Sequence, residues 1–247
     1  TYKHFRDSLH FDSFILGNSC TMAFHTWDWE KHLNGGKAIR LYGTAQRLAA
    51  VHRKVMALDK ENNPIANVLL VVDPSLLREY QLSPGYTHLL PPEVSGMSKF
   101  KFQSQFVQGF FNPKFMLPYM DYRLCRHYRP YMKGIVNPDK HTRNKITNDV
   151  LSPREHEIKQ LGDKYWEKNK RNFRPRRGKN QEYPPVLMKP QIKLLSEMAE
   201  VFQAHHTNCK IIISPEYKQI RINPSDVTEL KKIFGEENVF DFSGINE

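Results

Sequence analysis

Ser19 stands two residues beyond Gly17 in the run Phe14-Ile15-Leu16-Gly17-Asn18-Ser19-Cys20, where a short apolar stretch gives way to small polar residues. In an open α/β sheet, ligands gather just beyond the carboxyl ends of the strands. A serine leaving the first strand is therefore placed to act as a nucleophile, and Gly17 lets the backbone turn there without a Cβ clash. The alternative is an ordinary strand-to-helix turn with Ser19 as the helix N-cap. A serine hydroxyl is a poor nucleophile near neutral pH and needs an adjacent base to take its proton. The eleven histidines offer no obvious one. His25, six residues past Ser19, either faces the site or is a solvated histidine, the latter being the favoured reading, and His205-His206 falls at a helix end, where capping or stabilisation of the helix dipole is role enough. Neither has metal-ligand company, and Cys20, Cys125 and Cys209 carry no metal-ligand spacing. No metal and no cofactor are expected, and the odd cysteine count argues against a disulfide framework. Asp73 leaves a later apolar run just before Pro74. Such a residue either sits beside the nucleophile and positions substrate or initiates the next turn.

The elements that must position these groups alternate in the first third of the chain. Phe11 to Leu16 and Ala38 to Tyr42 read as strands, the second ending at Gly43. Gln46 to Lys60 is helical, with Leu48, Val51, Val55 and Leu58 on one face, and Asn62-Asn63-Pro64 stops it. Val68 to Val72 is an unbroken apolar run, as expected of a strand buried on both faces. The last third resumes the pattern: a helix over Pro190 to Ala204, a strand over Lys210 to Ile213, a helix capped by Ser225 and running to Phe234, and a strand over Val239 to Phe242. Strands separated by helices predict an α/β fold, a three-layer α/β/α sandwich around a parallel sheet.

Charge sets the middle apart. Net charge is +11, yet residues 97 to 185 hold 20 Lys+Arg against 8 Asp+Glu, and the remainder is close to neutral. From Ser98 to Pro185 arginines and lysines alternate with ten Phe and Tyr residues between Phe100 and Tyr131. Pro153 to Asn172 reads as a charged helix with Tyr165 and Trp166 on its buried side. Arg174-Pro175-Arg176-Arg177-Gly178-Lys179 reads as an exposed basic loop. This segment is an insertion into the α/β core, so the chain divides into 1–97, 98–185 and 186–247. The insertion is either a lid with a small core of its own or a groove for an acidic or sugar-rich substrate, with Arg174, Arg176 and Arg177 pairing with carboxylates or phosphates. Nucleic-acid binding is the least favoured reading, because no nucleic-acid motif accompanies the basic and aromatic residues. Hydrophobic content of 39% suffices for a core, and no apolar run reaches the ~18 residues of a bilayer span. The chain opens on Thr1 with no signal peptide, which suggests a processed or trimmed product.

In these residues the chain resembles the SGNH/GDSL hydrolase superfamily, particularly its envelope-associated acyl-esterase and acyl-transferring members. The resemblance covers 1–97 and 186–247. In that family a Gly-Asp-Ser-type block after the first strand supplies the nucleophile, and Gly17-Asn18-Ser19 stands there with Asn in place of Asp. A glycine after the second strand lends its N–H to the oxyanion hole, and Gly43 matches it. The third block, usually Gly-x-Asn-Asp, is here Val72-Asp73-Pro74-Ser75, which lacks the oxyanion-stabilising asparagine. The last block, Asp-x-x-His, follows the final strand in the family. Here the only such spacing is Asp7-Ser8-Leu9-His10, ahead of the first strand, so the expectation is a chain that stops short of that block.

The resemblance implies a serine esterase or O-acyltransferase acting on acyl, chiefly acetyl, groups of an envelope carbohydrate. Ser19 would be the nucleophile, Ser19 and Gly43 the oxyanion hole, Asp73 the third-block residue, and Asn18 a substrate contact. The implied partner is an acylated carbohydrate or another anionic, sugar-rich substrate, in the cell envelope or periplasm, with any membrane anchor outside this chain. The competing reading is a catalytically silent carbohydrate-binding protein on the same fold.

Overall fold

The computed structural model describes residues 2–43, 45–82, 85, 88–136, 142–173 and 181–245. Helix α1 (Tyr2–Leu9) leads into β1 (Ser13–Gly17), a 3-10 turn (Ser19–Ala23) and α2 (Thr26–Glu30). Then come β2 (Ala38–Arg40), α3 (Leu48–Lys60), β3 (Asn67–Val72), α4 (Pro74–Arg78) and α5 (Pro92–Ser95). The basic segment folds as α6 (Lys99–Phe110), α7 (Pro113–Cys125), β4 (Thr142–Arg143), β5 (Val150–Leu151), α8 (Pro153–Leu161), α9 (Asp163–Lys168) and β6 (Gln181–Glu182). The core closes with α10 (Lys189–Ala204), β7 (Asn208–Ile213), β8 (Ile220–Arg221), α11 (Pro224–Phe234) and β9 (Val239–Asp241).

Five strands form one sheet in the order β2-β1-β3-β7-β9, and every pairing in it is parallel. This is a three-layer α/β/α sandwich. The period-2 alternation of a strand sends Phe14, Leu16, Val68, Leu70 and Val72 into a core shared with α3, α10 and α11. It sends Ile15, Leu69 and Val71 to the other face, against Cys20, Phe24 and Trp29. Both faces of β1 and β3 are thus covered, which is why these strands read as continuous apolar runs. The chain departs from β1 toward β2 on one side and β3 on the other, so the order reverses between β1 and β3. That reversal opens a crevice at the carboxyl ends of the strands, the usual ligand position in such sheets.

The insertion leaves the core between β3 and β7, which are neighbours in the sheet. Its second half is tied back to the segment that follows Ser19. The edge strand β2 is covered there: Arg40 N–H donates to Thr147 O at 3.0 Å, and Asn148 Nδ2 donates to Arg40 O at 2.8 Å. The fully buried Arg40 guanidinium in turn donates to Asn148 O and Thr21 O. Buried Asp149 accepts from the Thr26 hydroxyl at 2.5 Å and from Thr147 Oγ1 at 2.6 Å.

Four local expectations are corrected. The span over Pro153 to Asn172 breaks into α8 and α9 at Gly162, whose φ of +52° ends the first helix. Trp166 is 48% exposed and rests against Phe173, while Tyr165 is buried. The cap of α11 is Asn223, whose side chain accepts from the Ser225 N–H; Ser225 itself lies within the first turn. His25 is not solvated: it stacks on Trp27 and its Nε2 lies 3.1 Å from Glu155 Oε2. His205 does cap α10, and it also pairs with Asp59 at 2.8 Å.

Candidate functional site

Three of the residues singled out in the sequence meet at the crevice. Gly17 ends β1 opposite Val71 of β3 with φ +143°, and the chain then turns into the 3-10 helix. Asn18, 4% exposed, caps that helix: its Oδ1 accepts the Cys20 N–H at 2.8 Å. Its Nδ2 donates to Asp73 Oδ2 at 2.5 Å, across the gap between β1 and β3. Cys20 Sγ donates to the same oxygen at 3.2 Å. Asp73 is also the N-cap of α4, with Oδ1 accepting from Leu76 N–H at 2.8 Å and Ser75 Oγ at 2.5 Å. Asp73 thus starts the next helix and, through Asn18 and Cys20, also holds the turn that carries Ser19.

This network explains the asparagine at position 18. The turn needs an acceptor for the Cys20 N–H and a donor toward Asp73, and an amide supplies both. An aspartate there would set two carboxylates against each other. Asn18 is therefore spent on holding the turn, and its buried side chain faces Asp73 instead of solvent.

Burial on its own would raise the Asp73 carboxyl. Donors from Ser75, Asn18, the Leu76 N–H and Cys20 outweigh it and hold the group below the ordinary carboxylate range. Burial, the Asp73 charge and the hydrogen bond to it push the Cys20 thiol up to about 12, so Cys20 stays protonated and supplies no thiolate near neutral pH. Because the folded Asp73 pKa is depressed, its stabilisation is complete above the unfolded value of ~3.9 and is lost as pH falls through the lower folded value. Asp73→Ala removes a cap and strands the buried Asn18 amide, and should cost about 2–4 kcal/mol in urea unfolding at pH 7. Asp73→Asn keeps the cap but turns a donor toward two donors. It should lack the wild type's loss of stability below about pH 4; an unchanged acid profile would contradict this assignment.

Ser19 lies between the two residues that anchor the turn. Among the described residues its Oγ has no hydrogen-bond partner, and neither its N–H nor that of Gly43 donates to one. Gly43 leaves β2, the strand next to β1, with Leu41 N–H still bonded to Ile15 O at 2.9 Å. It lines a cavity of about 530 Å³ with Tyr42, Gln46, Lys54 and Leu90, a cavity that Ser19 does not line. A Cβ at position 43 would overlap the Gln46 side chain. Lys54 fixes that side chain, donating to Gln46 Oε1 and Leu41 O, each at 2.5 Å. Burial pushes Lys54 down to about 7, so the unfolded chain holds a proton that the folded one releases between there and the usual lysine value of ~10.4. Stability should rise with pH across that window. Urea midpoints at pH 6.5 and 9.5 should show the gain in wild type and a smaller one in Lys54→Met.

At the exit of β7, Ser214 and Glu216 border Cys20 electrostatically, and Tyr183 Oη donates to Glu216 Oε2 at 2.6 Å. Burial and Glu216 push Tyr183 up to about 12. No sequence motif flagged these residues, because they reach the crevice only through the β3–β7 pairing. Asp7 and His10 precede β1 and so lie at the opposite, amino end of the sheet from Ser19. Arg174, Arg176 and Arg177 lie outside the described residues. Among the described residues no group of three His, Cys, Asp or Glu could hold a metal ion, and no helix is long and apolar enough to cross a membrane. No protein-family model, curated protein or solved structure matches the chain.

Proposed function

We propose that this chain is the core of an SGNH-type serine esterase or O-acyltransferase acting on acyl, chiefly acetyl, groups of an envelope carbohydrate. The observation that carries the reading is Ser19. It leaves β1 at the strand-order reversal, its hydroxyl free of described partners, while Asn18 and Cys20 on either side are held by Asp73. A nucleophile needs this combination of a rigid turn and an uncommitted oxygen.

In this reading Ser19 Oγ attacks the acyl carbonyl as its proton passes to a general base. The oxyanion of the tetrahedral intermediate accepts from the Ser19 N–H, and the resemblance implies the Gly43 N–H, one strand over, as the second donor, such a donor being worth about 3–4 kcal/mol where one has been removed in other enzymes. Collapse breaks the bond to the sugar oxygen, which leaves as the protonated alcohol, and the acyl group stays on Ser19. Water then releases the free acid, or a second hydroxyl takes the acyl group. Asp73 acts as a positioning residue, since both its oxygens are committed to donors. In the family that base is the histidine of an Asp-x-x-His block after the last strand; this chain holds that spacing at Asp7–His10, at the amino end of the sheet, away from Ser19.

The natural full-length protein should hydrolyse p-nitrophenyl acetate, and an O-acetylated oligosaccharide should slow that hydrolysis competitively. Oligosaccharide binding with no protein-dependent hydrolysis would favour the silent carbohydrate-binding reading. No binding and no hydrolysis would remove both.

A further inference from the structure

The helical hairpin at the start of the insertion hides almost nothing. Among the described residues, Gly109 is the sole buried residue of α6 and Pro118 that of α7. Helical spacing aligns side chains three, four and seven apart. Phe100, Val107 and Phe111 therefore form one exposed stripe, 85%, 56% and 64% accessible, and Leu117, Met120 and Leu124 a second, 61%, 43% and 77% accessible. Two apolar stripes left in water are costly, at about 25 cal/mol for each Å², and exposed apolar surface of this extent marks an interaction site. Residues 99 to 133 also hold seven Lys and Arg against one acidic residue, Asp121, and that residue is engaged by Arg129 and Tyr131.

This charge decides between occupants. A second copy would bring two strongly basic hairpins together. A nucleic acid would match the charge but give Val107, Leu117 and Leu124 nothing to stack on. An anionic bilayer satisfies both features: headgroup phosphates take the basic side chains, and the acyl boundary takes the apolar stripes. We propose that the α6–α7 hairpin docks this protein on the surface of an anionic membrane, lying in the interface without crossing it. The assignment is independent of Ser19, so Ser19→Ala should bind membranes like wild type.

Co-sedimentation of the full chain with phosphatidylcholine vesicles, with and without 30% phosphatidylglycerol, tests it. Binding should require the anionic lipid and weaken with salt. Lys101→Gln with Arg126→Gln should weaken it roughly 25-fold, at about 1 kcal/mol per charge, and Phe111→Ser with Leu124→Ser about 100-fold. All four residues are exposed, so urea midpoints should not move, which separates lost binding from lost folding. No sedimentation with anionic vesicles at low salt would overturn the proposal. So would a dimer that the Phe111/Leu124 pair dissolves, or tight oligonucleotide binding without lipid binding.

Discussion

Ser19→Ala is expected to lower ester hydrolysis by the natural full-length protein at least ~10³-fold, the scale seen when the nucleophile of a serine hydrolase is removed. Folding stability should stay within about 0.5 kcal/mol, because Ser19 Oγ makes no hydrogen bond to a described residue and the turn is held by its neighbours. That separation of activity from stability is the signature of a reacting group. Cys20→Ala should do the reverse. It removes a donor to Asp73 and costs about 1 kcal/mol, yet leaves hydrolysis within a few-fold, since a thiol pushed up to about 12 supplies no thiolate at working pH. Comparable activity losses in both variants would shift the role of Ser19 from chemistry to structure.

Gly17→Ala should be the most destabilising single-methyl change in the core, at about 2–5 kcal/mol. Two costs add. An L-residue at φ +143° is strained, by roughly 1–2 kcal/mol. The new Cβ would also run into the Val71 carbonyl oxygen and come within 2.9 Å of Thr21 Cγ2. The Val71 oxygen is backbone in the central strand, so β1 must move away from β3, an overpacking cost of about 1–3 kcal/mol. Gly35 is the control. Its φ is +83° but nothing lies within 4 Å of the position a Cβ would take, so Gly35→Ala should show the strain alone. Equal urea shifts in the two variants would show that the close approach of β1 to Val71 has no energetic weight.

What the sequence discloses follows from what is local. β1 and β3 were legible because strands covered on both faces become unbroken apolar runs, β7 because its isoleucines form a short apolar run before Ser214-Pro215, and α3 and α10 because a single buried stripe repeats every three or four residues. Ser19, Asn18 and Asp73 were legible because each sits at the end of such a run. The bond between Asn18 and Asp73 was not, since it spans 55 residues and exists only because β1 and β3 pair. Tyr183 and Glu216 were missed for the same reason, and Lys54 because nothing in its helix marks which lysine turns inward toward Gln46 and Leu41. The hairpin α6–α7 defeated the periodicity test from the other side: its apolar stripes lie on exposed faces and Pro118 falls inside a helix, so spacing that elsewhere marks a core marks none here.

Covalent trapping tests the role of Ser19 most directly. The natural full-length protein, treated with a fluorophosphonate and digested with trypsin, should carry one adduct per chain, and fragmentation of the peptide Asp7–Lys31 should place it on Ser19. No adduct, or one on Cys20 or on another hydroxyl of that peptide, would contradict the assignment of Ser19 as the nucleophile.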